Sequence, residues 1–242
     1  MIYSAKTDVG LTRTANQDAF SVNIFNEDFA LFVVCDGMGG TAAGNVASEM
    51  AVERVVKSFN DNYSPKLSEK QIVGLLKSSV ESANAAIYEK ASANEELKGM
   101  GTTIVCAVVY KNTCLVAHAG DSRLYRFRQG VLSQITTDHS VVQTMVDSGH
   151  ITEEEAKIHP NKNIITRALG VHSAVEVDIT DFSLESNDIV LLCSDGLTNC
   201  LESDEIANIL HSADFEKVTD IMIEKANGNG GYDNITAVAF KI

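Results

Sequence analysis

The run Phe29-Ala30-Leu31-Phe32-Val33-Val34-Cys35 carries no charged or amide side chain, and it stops abruptly at Asp36-Gly37-Met38-Gly39-Gly40. A short apolar run of this kind reads as a buried strand. A carboxylate at the mouth of such a strand is costly to leave unpaired. The glycines after it let the backbone turn tightly and approach a ligand closely. The design recurs far downstream, where Ile189-Val190-Leu191-Leu192-Cys193-Ser194 runs into Asp195-Gly196. Two apolar strands that each end in Asp-Gly predict two carboxylates brought to one place.

The length of 242 residues, 45% of them hydrophobic, fits one domain over residues 1–242 with ample material for a core. The formal net charge of -14 argues against nucleic acid or an anionic membrane as the main partner. It leaves room for an anionic substrate, because a bound cation reverses the local field. Cys35, Cys106, Cys114, Cys193 and Cys200 are odd in number, form no Cys-x-x-Cys pair and sit mostly among apolar neighbours. They read as reduced, buried thiols. The chain start has no signal-peptide core and no run is long enough to span a bilayer. The expectation is a soluble, cytoplasmic monomer.

Along the chain, Ile2 to Lys6, Ala19 to Val22 and Phe29 to Cys35 read as strands. Gly44 to Phe59 reads as a helix. A second helix begins at Ser68 with Gln71 at a capping-box position, and Ile72, Leu76, Val80, Ala83 and Ile87 form its apolar stripe. Thr102 to Tyr110, Cys114 to Ala119, Arg123 to Arg128 and Val131 to Ile135 read as strands joined by tight turns. Ser140 to Asp147 reads as a short helix. Ile151 to Ile164, polar and interrupted by Pro160, reads as an exposed irregular flap suited to substrate contacts. Strands follow at Val175 to Phe182 and Asp188 to Cys193, helices at Asp204 to Leu210 and Phe215 to Ala226, and a last strand at Ile235 to Phe240. Hairpin-like links favour antiparallel sheets, so two packed sheets with helices outside are expected.

Asp36, Asp121 and Asp195 each follow the end of a strand, and Asp233 precedes the start of one. In antiparallel neighbours these ends lie side by side, so the carboxylates can meet at one edge. Carboxylates packed together must be protonated or bind a cation. None of the Asp motifs carries His or Cys at zinc spacing, and hard oxygen donors suit Mg²⁺ or Mn²⁺. Two such ions sharing a carboxylate can activate a water and hold a phosphoryl oxygen. Arg13, in a polar stretch between two strands, is the candidate to grip a phosphate. Taken singly, each residue has an ordinary explanation. A lone Asp-Gly is more often a turn than a ligand, by about three to one. Asp121 could form a surface ion pair, and Asp233-Asn234 could merely shape a turn. Arg13 alone is more often solvated, and His139 after Asp138 is more often structural than catalytic. Repetition of the strand-then-Asp pattern is what lifts the set.

The matching stretches are Arg13-Thr14-Ala15-Asn16-Gln17-Asp18, Val34 to Gly40, Gly101-Thr102-Thr103, Ala119-Gly120-Asp121-Ser122-Arg123, Thr137-Asp138-His139-Ser140, Ile165 to Gly170, Leu192 to Leu197 and Gly231 to Thr236. Through them the chain resembles the metal-dependent Ser/Thr protein phosphatases of the protein phosphatase 2C (PPM) family, particularly their compact bacterial branch. The motifs come in the family's order and span nearly the whole chain. The resemblance implies an α+β fold, an αββα sandwich of two mostly antiparallel sheets flanked by helices. It implies that Asp36 bridges two Mn²⁺ or Mg²⁺ ions, with the Gly37 carbonyl on the first and Asp195 and Asp233 on the second. Asp18 would act from behind through water, and Asp121 with Asp195 would bind a third, weaker ion. Arg13 would bind the substrate phosphate, and residues 151–170 would overlap a flap that adjusts access.

The implied activity is hydrolysis of phosphoserine and phosphothreonine on proteins by a water that bridges the ions, without a covalent phosphoenzyme. The implied partners are phosphoproteins made by a bacterial Ser/Thr kinase. Thiol-phosphatase chemistry lacks support, since the sixth residues after the cysteines are Thr41, Asn112, Gly120, Asn199 and Ile206, none of them Arg. The chain departs from its relatives at Thr41, where many bacterial members carry His. It departs at Asn45, where they often carry Glu, and at Met38, where animal members carry a His proposed as general acid. No proton donor to the leaving group is therefore assigned. The rival readings are a two-metal hydrolase of small phosphate esters and a non-catalytic relative that binds phosphoproteins.

Overall fold

The computed structural model describes all 242 residues except the side chains of Thr41 and Ala42, so the Thr41 departure lies outside the described residues. The elements begin with β1 (Ile2–Asp8), β2 (Asp18–Asn26), β3 (Phe29–Met38), α1 (Gly40–Asn62) and α2 (Glu69–Ala93). Next come β4 (Gly101–Thr102), β5 (Ile104–Tyr110), β6 (Thr113–Ala119), β7 (Arg123–Arg128) and β8 (Val131–Gln134). The short helices α3 (Val141–Asp147) and α4 (Glu153–Ile158) lead to β9 (Asp178–Ser183) and β10 (Ile189–Cys193). The chain closes with α5 (Asp195–Thr198), α6 (Ser203–Ser212), α7 (Val218–Gly228) and β11 (Ile235–Lys241).

The strands form two antiparallel sheets. One runs β1-β11-β10-β7-β8, and the other runs β2-β3-β5-β6-β9 with β4 paired to β3. The apolar run of β3 is continuous because both of its faces are buried. Side chains alternate across a strand. Leu31, Val33 and Cys35 therefore enter the core under α1 and α2. Ala30, Phe32 and Val34 enter the core between the sheets. β10 and β11 split in the same way. Leu191, Cys193, Ile235 and Ala237 meet α6 and α7, while Val190, Leu192, Val238 and Phe240 face the opposite sheet. The result is the expected αββα order of layers. Phe32 and Phe240 stack across its centre with ring centroids 4.2 Å apart.

The structure corrects several sequence-based boundaries, each for a local reason. α1 starts at Gly40 rather than Gly44, directly after Gly39 at φ 112°. The residues between are Gly, Thr and Ala, which carry no apolar stripe. The strand expected over Thr102 to Tyr110 breaks at Thr103. There the Thr103 hydroxyl accepts the Asp36 N–H at 2.9 Å, while the Thr103 N–H donates to the Asp36 carbonyl at 2.8 Å. The stretch expected to be irregular from Ile151 contains α4, opened by a Thr152–Glu155 capping box. It ends two residues before Pro160, because the residue before a proline is kept out of the helical region. His159 is indeed extended, with ψ 139°. The Ser68–Gln71 capping box is present as expected.

Phe32 and Phe240 both have 0% exposure. Phe240→Ala is expected to lower the unfolding free energy by about 3–5 kcal/mol, read as a lower urea midpoint with an unchanged slope. A loss under about 1 kcal/mol would mean that the sheets close over the cavity.

Candidate active site

The site is built where β2 starts, β3 and β10 end, and β11 starts. The β2–β3 register places Asp18 directly opposite Asp36. Antiparallel pairing of β10 with β11 brings their ends together, so that Ser194 N–H donates to the Thr236 carbonyl at 3.1 Å. Asp36 lies near the end of β3 rather than after it, because the strand continues to Met38 through its pairing with β4. Asp195 opens α5, a single turn that strand-end reasoning did not anticipate.

Arg13, Asp36, Gly37, Asp121, Asp195 and Asp233 all line one cavity of about 500 Å³. Asp18 stands behind it, buried. Its Oδ2 accepts from the Ser194 and Thr236 hydroxyls, both at 2.7 Å. These two donors come from the opposite sheet, so Asp18 ties the layers together just beneath Asp195 and Asp233. Gly37 is required by packing, since a Cβ there would stand 2.1 Å from the Gly44 carbonyl oxygen and 2.6 Å from that of Gln17. At the lip, Arg13 Nη2 donates to Asp233 Oδ2 at 2.8 Å, with the arginine side chain 52% exposed. Asn163 and Ile165 of the flap complete one wall.

The electrostatics follow from crowding. Burial, reinforced by Asp18, Asp195 and Asp121, pushes the Asp36 carboxyl well above the ordinary range. Burial and the neighbouring Asp233 also raise Asp195. Burial pushes Asp18 up to about 7, against the pull of its two hydroxyl donors. Burial, with Asp195 nearby, pushes Asp121 up to about 7 as well.

Sequence reasoning missed the residues that hold this group in place. Asn234 Oδ1 accepts from the Gln17 N–H at 2.8 Å, and its Nδ2 donates to the carbonyls of Val9 and Ala15. It thereby fixes the loop that carries Arg13. Asn199 donates to Asp195 Oδ2 at 2.9 Å. The spacing Asp195-x-x-x-Asn199, one helical turn, was the available signal.

The family model for protein phosphatase 2C matches residues 12–236. The chain belongs to the protein phosphatase 2C family. It is 40% identical to the serine/threonine phosphatase stp of Listeria welshimeri, over 96% of this chain and 92% of that one. The solved serine/threonine phosphatase Stp1 of Staphylococcus aureus superposes with a TM-score of 0.94 at 36% identity, covering 99% of this chain and 94% of its own. The solved catalytic domain of the serine/threonine protein phosphatase PstP, in complex with two manganese ions, has a TM-score of 0.86 at 36% identity, covering 98% and 96%. The chain is thus a phosphoprotein phosphatase of the bacterial branch, with the family's dependence on Mn²⁺ or Mg²⁺.

The cavity of this family member fits such ions in its chemistry. Among the described residues, no three acidic, His or Cys side chains already converge on a point that could hold an ion. Asp233 is instead paired with Arg13. The donors are hard carboxylate oxygens that repel one another, and the buried oxygens Asp18 Oδ1 and Asp195 Oδ1 have no hydrogen-bond partner. A divalent cation would relieve both the repulsion and the unmet acceptors.

A pH dependence follows. Asp18 and Asp121 rise from 3.8 to about 7 in the folded chain. Between those values the folded state holds protons that the unfolded state has lost. Their contribution to stability is complete below about pH 4 and is lost as pH rises through about 7. Ions compete with those protons, so stabilisation by Mn²⁺ should grow over the same range. Thermal unfolding with chelator and with Mn²⁺ should show a wider gap between midpoints at about pH 8 than at about pH 5. An equal gap at both would contradict the proton-loaded cluster.

Proposed function

We propose that residues 1–242 form one catalytic domain that hydrolyses phosphoserine and phosphothreonine on proteins and opposes a bacterial Ser/Thr protein kinase. What carries this is one arrangement: an arginine and several carboxylates face the same cavity. Arg13 turns from Asp233 to the phosphate, where its planar fork matches two phosphoryl oxygens. Asp36, the Gly37 carbonyl, Asp195 and Asp233 would hold the two core ions. Asp121 with Asp195 would hold a third, weaker one, and Asp18 would act from behind through water. Mn²⁺ or Mg²⁺, when bound, supplies Lewis acidity at the phosphoryl oxygens and lowers the pKa of water. Arg13 neutralises charge that grows on the phosphoryl group during in-line displacement.

No histidine stands among the described residues that line the cavity, so no histidine is assigned as proton donor to the leaving alkoxide.

Hydrolysis of p-nitrophenyl phosphate and of a phosphothreonine peptide with Mn²⁺, with chelator, and after Asp36→Asn tests this reading. Activity is expected only for wild type with Mn²⁺, with Asp36→Asn lower by at least about 100-fold. Arg13→Ala should reduce kcat/KM by about 10- to 100-fold, the value of a charge-assisted contact. A wild type inert with Mn²⁺ would favour a phosphoprotein-binding relative, and preference for nucleotides over the peptide would favour a small-ester hydrolase.

A further inference from the structure

His139 is 8% exposed and is not among the residues that line the cavity. It nevertheless holds both main-chain polar atoms of the residue before Asp121. Its backbone N–H donates to the Gly120 carbonyl at 2.8 Å, and its Nδ1 accepts the Gly120 N–H at 3.1 Å. Gly120 has little freedom of its own. Its φ is +121°, and a Cβ there would stand 2.6 Å from the Thr103 side chain. The peptide that aims Asp121 away from β6 is therefore clamped by one residue on one side and packed against Thr103 on the other.

The opposite edge of the ring faces the flap. Because Nδ1 accepts, the neutral ring carries its proton on Nε2. That Nε2–H donates to Asp178 Oδ2 at 3.1 Å. Arg167 Nη1 donates to Asp178 Oδ1 at 2.7 Å and lies 3.1 Å from the same Nε2, so two donors share one carboxylate. The His139 carbonyl accepts the Thr166 N–H at 2.7 Å. The buried ring of His118 stacks on that of His139 with centroids 4.6 Å apart. A solvated or merely space-filling histidine needs none of these directed contacts.

We propose that His139 is a positioning residue, which fixes the Asp121 carboxylate through the Gly120 peptide and locks it to Thr166 in the flap and to Asp178 at the start of β9. This rests on the reading of Asp121 as a carboxylate for the third, weaker ion. His139 sets the direction in which Asp121 enters the cavity, and so the affinity of the weakest ion, while the ions held by Asp36, Asp195 and Asp233 keep theirs.

Two amide substitutions separate the ring's two edges. His139→Asn places an amide oxygen where Nδ1 sits and keeps the acceptor for Gly120. His139→Gln reaches the position of Nε2, keeps a donor for Asp178 and loses the Gly120 acceptor. Both are compared with wild type and Asp121→Asn by calorimetric titration of the chelator-stripped proteins with Mn²⁺, and by the Mn²⁺ concentration that gives half-maximal rate. The unfolding midpoint without metal checks that each variant is folded. His139→Gln should weaken the weakest class of Mn²⁺ sites by about 10-fold, the usual effect of losing a group that orients a ligand. It should mirror Asp121→Asn, while His139→Asn restores most of the loss and the tighter class stays unchanged. If His139→Gln binds Mn²⁺ like wild type while Asp121→Asn does not, the positioning role is overturned. Equal weakening in both amide variants would also overturn it, since the Gly120 contact would then not be the operative one. If Asp121→Asn itself binds Mn²⁺ as wild type does, the assignment of Asp121 fails, and the role of His139 falls with it for a different, recognisable reason.

Discussion

Carboxylates that cannot all be charged in each other's company set the terms for this fold. Asp18, Asp36, Asp121 and Asp195 are each pushed above the ordinary carboxylate range, with burial as the leading cause and mutual repulsion as the next. Left alone, such a group would spread apart or draw in water. Here each member is attached to a different strand end, and the strands cannot move without opening a core. The cross-sheet bonds from Ser194 and Thr236 to Asp18 show how the cost is contained. One buried carboxylate is kept in place by neutral donors that belong to the neighbours of the other carboxylates. The apolar sandwich supplies the stability, and the crowded edge draws on it to hold a cation-binding arrangement.

Antiparallel pairing does most of the placing. A strand that leaves the edge and one that returns to it are hydrogen-bonded partners, so Asp18 meets Asp36, and the segment after β10 meets the segment before β11. Asp121 is placed from two sides. It follows β6, whose end pairs with the start of β5 at Ala119 and Ile104, and it precedes β7, whose Arg123 pairs with Cys193 at the end of β10. The direction of its carboxylate depends further on the Gly120 turn and on what grips that turn. For that reason Gly120 and His139 matter more than their appearance in the sequence suggests.

The layers were legible in the sequence because β3, β10 and β11 have apolar residues on both faces, a pattern that only a strand between two covers can use. The acidic cluster was legible because Asp followed such strands repeatedly. The supports were not. Asn234 and Thr103 act through side chains aimed at backbone partners far away in sequence, and nothing in local periodicity records a contact such as Asn234 to Gln17 across 217 positions. The start of α1 was hidden for another reason. Gly39 and Gly40 both have positive φ, at 112° and 50°, so the helix is launched by backbone shape before any stripe of apolar residues begins. The short α4 carried a readable capping box, but its charged residues and the nearby Pro160 outweighed that signal.

The ion pairs around the cavity differ in how readily they can be given up. Arg13 and Asp233 meet at 2.8 Å with 52% and 35% of their side chains exposed. An exposed pair of this kind contributes no more than about 1 kcal/mol, which a cation on Asp233 and a phosphate on Arg13, in their proposed roles, would each exceed. Arg123 and Asp138 are different. They are joined through three nitrogen-to-oxygen contacts of 2.7 to 3.1 Å, and Asp138 is 11% exposed. Breaking that pair would strand a charge, so it stays closed whatever occupies the cavity. Asp138 also precedes His139, and the closed pair anchors the segment from which His139 reaches Gly120. The weak pair therefore lies where the proposed ligands would displace it, and the strong pair lies where the scaffold must not yield.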